Sequence, residues 1–447
     1  MILREDDDRQ CPPVIREVLV NQNGWKVYDE SIPPEQQVPP NLFWKTNRFF
    51  PTQISSCVYP YQRVNHYPKS SEITKKEGLY RHMKRMKTVH GSLFSFVPET
   101  FSLPNEYVKF CQYFASERER AVSLGLKAPL YIVKPSELSR GRKIFVFDDI
   151  GELSYDCASV VQRYIDRPLL IRGHKVDFRI YVLVTSFQPM RAYIYEDFLT
   201  RFGGERYSLD VKDTFVHLTN YSVTKTSTST TLLKNGVENC KWDGPRTRKH
   251  FANAGIDFSV VWGRIETVVR CTLLSICHLV PPIPQCFELY GFDIMFDAAF
   301  SPWLLEANFS PALAVESEVD VAVKHPLIHD LVKTLNIPSF PTDHSAPPVE
   351  AIMRGKSRSA FSKKGTQSSP PPSAAPVKLV DSPQGKMKWL FPFNEETERL
   401  SLLATCPGQH EAALKSMLAE VKKCDARFCA MSKSFGDVYE AFCAKEA

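Results

Sequence analysis

Apolar and polar residues alternate with period two through the middle of the chain, and recur at helical spacing on either side. The alternation predicts strands at 130–134, 144–147, 160–165, 176–186 and 191–195. A helix is predicted after Asn105, with Tyr107, Phe110, Cys111 and Phe114 on one face, and two more over 258–279 and 319–335. Between those two helices, CFELYGFDIMFDAAFSPWLLEANFSPAL reads as two buried strands joined by a turn at 298–302. A turn pairing Asp297 with Pro302 puts Asp293 directly across from Glu306, and Glu306 on the same strand face as Asn308.

Directly opposed carboxylates, roughly 5 Å apart at Cβ, repel unless something neutralises them. A hard divalent cation does so with oxygen ligands, and Mg²⁺ keeping water and phosphate ligands fits best; the alternative is two incidental acids, one protonated. A second run, Lys175 to Tyr181, sends Val176, Phe178, Ile180, Val182 and Val184 to the core and turns Asp177, Arg179 and Tyr181 to the other face. That face is read as either a cleft wall, with Arg179 forking onto phosphate or carboxylate oxygens, or an ordinary solvated surface. Lys134, closing the apolar run LYIVKP before a Ser/Arg/Gly loop, is a phosphate candidate or a lysine snorkelling to water. Polar side chains in a turn-like context follow at 217–222, and Lys241 precedes Trp242.

Composition narrows this little. With 447 residues, 43% apolar and 24% charged, the chain can bury a large core, and its +6 balance suits an acidic partner without naming one. Lys75, Lys76, Arg81, Lys84, Arg85 and Lys87 make a basic patch that suits an acidic polypeptide or is a solvated helix face, without the aromatic interleaving that stacks bases. Twelve cysteines without C-x-x-C pairs or zinc spacing suggest reduced, buried thiols in a soluble intracellular protein. No apolar stretch reaches bilayer length, and the N-terminus lacks a signal-peptide core. Beyond Pro338 the composition turns to Pro, Ser and Lys, so 341–385 is expected to be a disordered linker. Trp389, Leu390, Phe391 and Phe393 then read as an isolated apolar cluster, followed by a helical stripe of Leu414, Met417, Leu418 and Val421 in a docking tail. Removing everything after Pro341 is expected to leave the core folded.

No Walker loop, kinase signature, nucleophile elbow or zinc-protease motif is present. Taken in order, LFWKTNRF, YIVKPSELSRGR, VVQRYI, KVDFRIYVLV, FVHLTNYSV, CFELYGFDIMFD and PWLLEANFSPAL resemble the tubulin–tyrosine ligase-like family of ATP-grasp peptide ligases, over roughly 14–335. KPSELSRGR and CKW are similar in wording to its member-2 polyglutamylase branch. The resemblance implies an α+β, ATP-grasp-like core with N-terminal, central and C-terminal lobes over 1–340, a linker over 341–388, and a cluster with helical tail over 389–447. It implies an ATP cradle of Lys134, Arg140, Gly141, Gln162, Arg163, Tyr164, Ile165, Lys175, Val176, Asp177, Thr219 and Asn220. Asp293, Glu306 and Asn308 match Mg²⁺ ligands; Arg201, Tyr221, Ser222, Lys241 and Lys324 match positions holding the incoming amino acid; Lys175 and Arg179 take the catalytic cation roles.

The implied reaction is ligation of free glutamate, with ATP and Mg²⁺, onto glutamate side chains of acidic tubulin tails through an acyl phosphate. Glycine or tyrosine ligation, a non-tubulin acceptor, and an inactive microtubule-binding scaffold are the alternatives. A monomer in the cytoplasm and cytoskeleton, extending to cilium, flagellum or basal body, with no nucleic-acid or membrane partner, is expected. Three departures stand out: Lys143 and Phe198 replace family glycines, Phe198 beside the expected amino-acid pocket, and Thr224 replaces an asparagine.

Overall fold

The computed structural model describes residues 1–5, 11–33, 36–49, 54, 59, 61–138, 141–209, 214–219, 240–338 and 382–446. Strands β1 (Ile2–Glu5), β2 (Lys26–Val27), β3 (Leu42–Trp44) and β4 (Arg63–Val64) form a parallel sheet in the order β2-β1-β3-β4. Helix α1 (Lys76–His90) leads from it to an antiparallel sheet of β5 (Thr100–Leu103), β6 (Tyr131–Pro135), β7 (Phe145–Phe147) and β8 (Ser159–Arg163), ordered β5-β8-β6-β7. Helix α2 (Tyr107–Ser123) backs this sheet, packing Phe110 and Phe114 against Phe101, Tyr131 and Phe147. The predicted stripe is corrected at one end: Tyr107 stays 42% exposed.

The third sheet has seven strands: β9 (Leu170–Ile171), β10 (His174–Phe187), β11 (Met190–Phe202), β12 (Lys241–Asp243), β13 (Glu288–Phe296), β14 (Pro302–Asn308) and β15 (Met387–Phe391). Its path is β12-β11-β10-β13-β14, with β9 pairing β10 and β15 pairing β11, all antiparallel. Between β12 and β13 lie α3 (Gly244–Asn253) and α4 (Phe258–Leu274), and α5 (Glu318–Leu335) follows β14. Helix α4 stops at Leu274 rather than 279: residues 275–279 are turns, and Pro281 and Pro282 cannot continue a helix.

Both faces of this sheet are covered. Val176, Phe178, Ile180, Val182 and Val184 join one core with Val261, Ile265 and Val268 of α4. On the other face Tyr181 and Leu183 join a second core with Leu3, Leu42 and Trp44 of the first sheet and Leu327 and Leu331 of α5. A solvated strand face is therefore corrected: Asp177 and Arg179 occupy a face that turns apolar from Tyr181 onward, and both are buried.

The residues after 386 do not form an isolated cluster, which corrects that expectation. Leu390 and Phe391 lie in the first core, and so do Leu400 of α6 (Glu395–Leu403) and Met417, Leu418 and Val421 of α7 (His410–Met431). Helix α7 crosses α4 so closely that a Cβ on Gly263 would lie 2.4 Å from the Phe428 ring. Helix α8 (Phe435–Glu446) sets Phe435 and Tyr439 against Phe300, with ring centroids 5.5 and 5.7 Å away. Phe300 sits in the β13–β14 turn with a left-handed φ of 57°, so the tail grips the hairpin at its most constrained residue. The returning chain is fastened to α5, where Gln384 N donates to Thr334 Oγ1 (3.2 Å) and Lys386 N to Asp330 Oδ2 (2.9 Å). Gly385 between them has φ 59°, and a Cβ there would lie 2.2 Å from the Asp330 carboxylate. The linker over 341–388 falls mostly outside the described residues, but Met387 and Lys388 belong to β15.

Candidate active site

The hairpin pairs Asp293 with Glu306, as expected, by an unexpected route. Phe296, not Asp297, pairs with Pro302, and Ile294 with Leu304; a bulge then leaves Leu305 without a partner and restores Asp293 to Glu306 and Gly291 to Asn308. Leu305 and Glu306 consequently both line a cleft between the β5–β8 sheet and the central one, open on one side to solvent.

Register explains the cleft's charge. Across the central sheet Lys241 faces Arg201, which faces Asp177; one pleat along, Arg179 faces Asp293, which faces Glu306. Side chains knit these two rows together. Arg201 forks onto Asp177 (2.6 and 2.7 Å) and reaches Asp293 Oδ2 (2.7 Å), while Arg179 grips Asp293 Oδ1 (2.5 Å) and Oδ2 (3.0 Å). The Thr219 hydroxyl also donates to Asp177. Burial pushes the Asp293 carboxyl up, but the Arg179 and Arg201 guanidiniums outweigh it and hold the group well below the usual carboxylate range. Glu306 lacks such partners: burial, then the Asp293 charge, raise it above the ordinary value.

Three lysines complete the cleft, Lys175 from β10 itself, Lys134 from β6 and Lys76 from α1. Lys134 Nζ donates to Gln162 Oε1 (2.7 Å), and Lys175 Nζ donates to the Tyr164 hydroxyl (3.1 Å) and the His217 carbonyl (3.0 Å). Burial lowers Lys134 to about 8, with Glu306 opposing the shift and Lys76 adding to it. Burial and the neighbouring Lys134 charge lower Lys175 to about 7. Lys76, assigned from sequence to the basic patch, instead lines the cleft and donates to Leu138 O (2.8 Å). Other patch residues have acids beside them: Arg81 pairs with Glu72 (2.8 Å), Lys84 with Glu106 (3.3 Å) and Lys87 with Glu99 (3.9 Å).

Ile132, Ile144, Met295 and Leu305 give the cleft an apolar wall suited to a flat base, beside the lysines suited to phosphates. Gly141, Gln162, Arg163, Tyr164, Ile165, Lys175, Asp177 and Thr219 line the same cleft. Val176 points into the apolar core, so of that residue only the backbone is on offer. Lys241 and Lys324 converge on buried Asp320, at 2.9 and 2.8 Å, an acid no sequence motif signalled. Arg140, Asn220, Tyr221, Ser222 and Thr224 lie outside the described residues.

The donor set suits a divalent cation. Asp293 Oδ1 accepts one hydrogen bond and keeps a lone pair, and Asn308 gives its amide nitrogen to Glu306 Oε1 (3.1 Å), leaving its carbonyl oxygen as a ligand. Phe198 does not share a strand face with Arg201. It points to the opposite face of β11 from Arg201, fully buried, its ring stacked on Phe258 at 5.6 Å, without a positive φ. Lys143 does keep the glycine-like backbone, with φ 57°, while pairing with Asp156 at 2.5 Å.

Comparison with known proteins agrees with this geometry. The chain is 40% identical over 329 residues to the human protein named Probable tubulin polyglutamylase TTLL2, covering 73% of this chain and 54% of that one. The mouse protein of the same name is 38% identical over 332 residues, with 73% and 60% covered. Human Tubulin polyglutamylase TTLL5 is 36% identical over 306 residues, with 65% and 23% covered. The chain thus spans little more than half the length of the first two relatives. The sequence model described as Tubulin-tyrosine ligase family matches residues 54–345, a span from before α1 through α5 that contains the whole cleft, and the chain belongs to that family.

Proposed function

We propose that this chain is an ATP-dependent protein–glutamate ligase, adding free glutamate through isopeptide bonds to glutamate side chains of tubulin's acidic C-terminal tails. The observation carrying this reading is the cleft itself, where an apolar wall, buried lysines and the opposed Asp293–Glu306 pair meet. The names of the relatives support the choice of substrate.

In this reading the apolar wall takes the adenine of ATP, and Lys134 and Lys175 meet its phosphates in a site that excludes water. Asp293, Glu306 and Asn308 would hold Mg²⁺, which supplies charge neutralisation to the phosphate oxygens. An acceptor carboxylate attacks the γ-phosphorus and becomes an acyl phosphate as ADP leaves; the glutamate α-amine then displaces phosphate, loses a proton and forms the isopeptide bond. Arg179 is bound at both ends of its fork to Asp293, so it acts as a fixed charge beside the reacting phosphorus. Lys241 and Lys324, with Arg201 beside them, form the cationic end that suits an amino acid carrying two carboxylates. Closure of the sheet regions over the cleft, as lobes, protects the acyl phosphate from water. The acceptor assigns the protein to the cytoskeleton, cilia and basal bodies included.

The test is incorporation of labelled glutamate, glycine or tyrosine into tubulin by the purified chain with Mg²⁺ and ATP. Glutamate incorporation that disappears without ATP supports the proposal. Preference for glycine or tyrosine redirects the amino-acid assignment, and tubulin binding with no incorporation of any of them makes the chain a scaffold.

A further inference from the structure

We propose that Cys277, His278 and His410 form a site for a soft divalent transition metal, Zn²⁺ by preference, clipping the start of α7 to the end of α4. Cys277 and His278 lie in the turns after α4, His410 is the first residue of α7, and one ligand atom from each lies within 4.8 Å of the others. Tetrahedral Zn²⁺, with bonds of about 2.3 Å to sulfur and about 2.0–2.1 Å to nitrogen, sets donors roughly 3.3–3.6 Å apart. Side-chain adjustment of about 1 Å therefore closes the site, and a fourth position remains for water.

A second observation points to a ligand. Among the described residues, His278 Nδ1 and His410 Nε2 are both buried without a hydrogen-bond partner, and their rings lie 5.6 Å apart. The Cys277 thiol donates to Leu274 O (3.2 Å) and must give up its proton to ligate a metal. One S–H bond then breaks, one S–metal bond forms, and one proton leaves to solvent.

Electrostatics at the junction pull both ways. Arg85, which donates to Ser275 O at 3.3 Å, opposes a cation; the carbonyl end of α4 and the new thiolate favour one. Thiolate and imidazole donors select against Mg²⁺, so this site and the carboxylate pair in the cleft take different metals.

The test uses the full chain, stripped with chelator and titrated with Co²⁺ and then Zn²⁺. One equivalent of Co²⁺ is expected to give a thiolate-to-metal charge-transfer band and visible bands of tetrahedral strength. Zn²⁺ should displace it and raise the thermal midpoint of the parent chain but not of Cys277→Ser. Cys277→Ser should abolish the charge-transfer band, and His410→Gln, at a half-buried helix start, should weaken binding at least 100-fold. His278→Gln serves if the serine variant fails to fold by circular dichroism. Absence of a one-equivalent band in the parent chain, or full-affinity binding in His410→Gln, overturns the proposal.

Discussion

Asp293 accepts hydrogen bonds from Arg179 and Arg201 while facing Glu306 across the hairpin, so one carboxylate answers to neighbours of both signs. The two acids should therefore respond oppositely to neutralisation. Asp293→Asn leaves two buried guanidiniums undercompensated and should lower stability by about 3–5 kcal/mol, seen as a large drop in thermal midpoint. Glu306→Gln removes a carboxylate whose charged form is already disfavoured; the midpoint should hold or rise slightly while the proposed ATP-dependent ligation is lost. Equal melting losses in both variants would sink this division of roles. The lysines supply a pH test. Lys175 and Lys134 lie near 7 and 8 in the free chain, and phosphates must raise them, so nucleotide binding at pH 8 should take up about one proton or more. Below pH 7 both are largely protonated already, and the uptake should fade toward pH 6. Calorimetry in buffers of different ionisation enthalpy reads it directly; pH-independent uptake would contradict these assignments. The acid pair was legible in the sequence because a hairpin is local. The arginines that hold Asp293 come from strands far away along the chain, and no pattern around either one announced the contact.

At the scale of elements, the bulge at Leu305 shows how a correct pairing emerged from a wrong turn register. The turn is one residue longer than alternation suggests, with Phe300 in the left-handed region, and the bulge absorbs the difference. The same turn explains why α8 matters to the cleft: its Phe435 and Tyr439 hold Phe300 at the end of the strands that carry Asp293 and Glu306. Gly263→Ala should crowd Phe428 and loosen α7 without touching a cleft residue. Hydrogen exchange should then quicken over 410–431 with nucleotide affinity unchanged; a loss of affinity would mean that α7 and the cleft move as one. Strand and helix positions were readable wherever periodicity was strong, and their ends shifted where prolines or turns intervened. β15 escaped notice because Met387–Phe391 is short and its partner, β11, lies nearly two hundred residues earlier.

For the whole molecule, the tail settles what counts as the folding unit. Leu390, Phe391, Met417, Leu418 and Val421 are all at most 2% exposed. At about 1.5–3 kcal/mol for each such side chain, stripping them away removes on the order of 10 kcal/mol, comparable to a domain's entire stability. A chain ending at Pro338 should therefore be insoluble or lack a cooperative thermal transition, the reverse of what its composition suggests. A sharp transition near the parent's midpoint would restore the independent core. The compositional break after Pro338 was real, but composition cannot say whether the chain beyond it comes back.

It does come back, and Asp330 and Thr334 catch it with two hydrogen bonds around Gly385, at a helix whose own end lies just before the departure point. With exit and re-entry tied to one helix, the spacing between them is freed from the geometry of the sheet. Doubling the length of such a closed stretch costs only about 0.6 kcal/mol. Relatives can therefore differ widely in length here while keeping the same cleft, and a tag or sensor inserted between 345 and 375 should leave the thermal midpoint within a few degrees of the parent's.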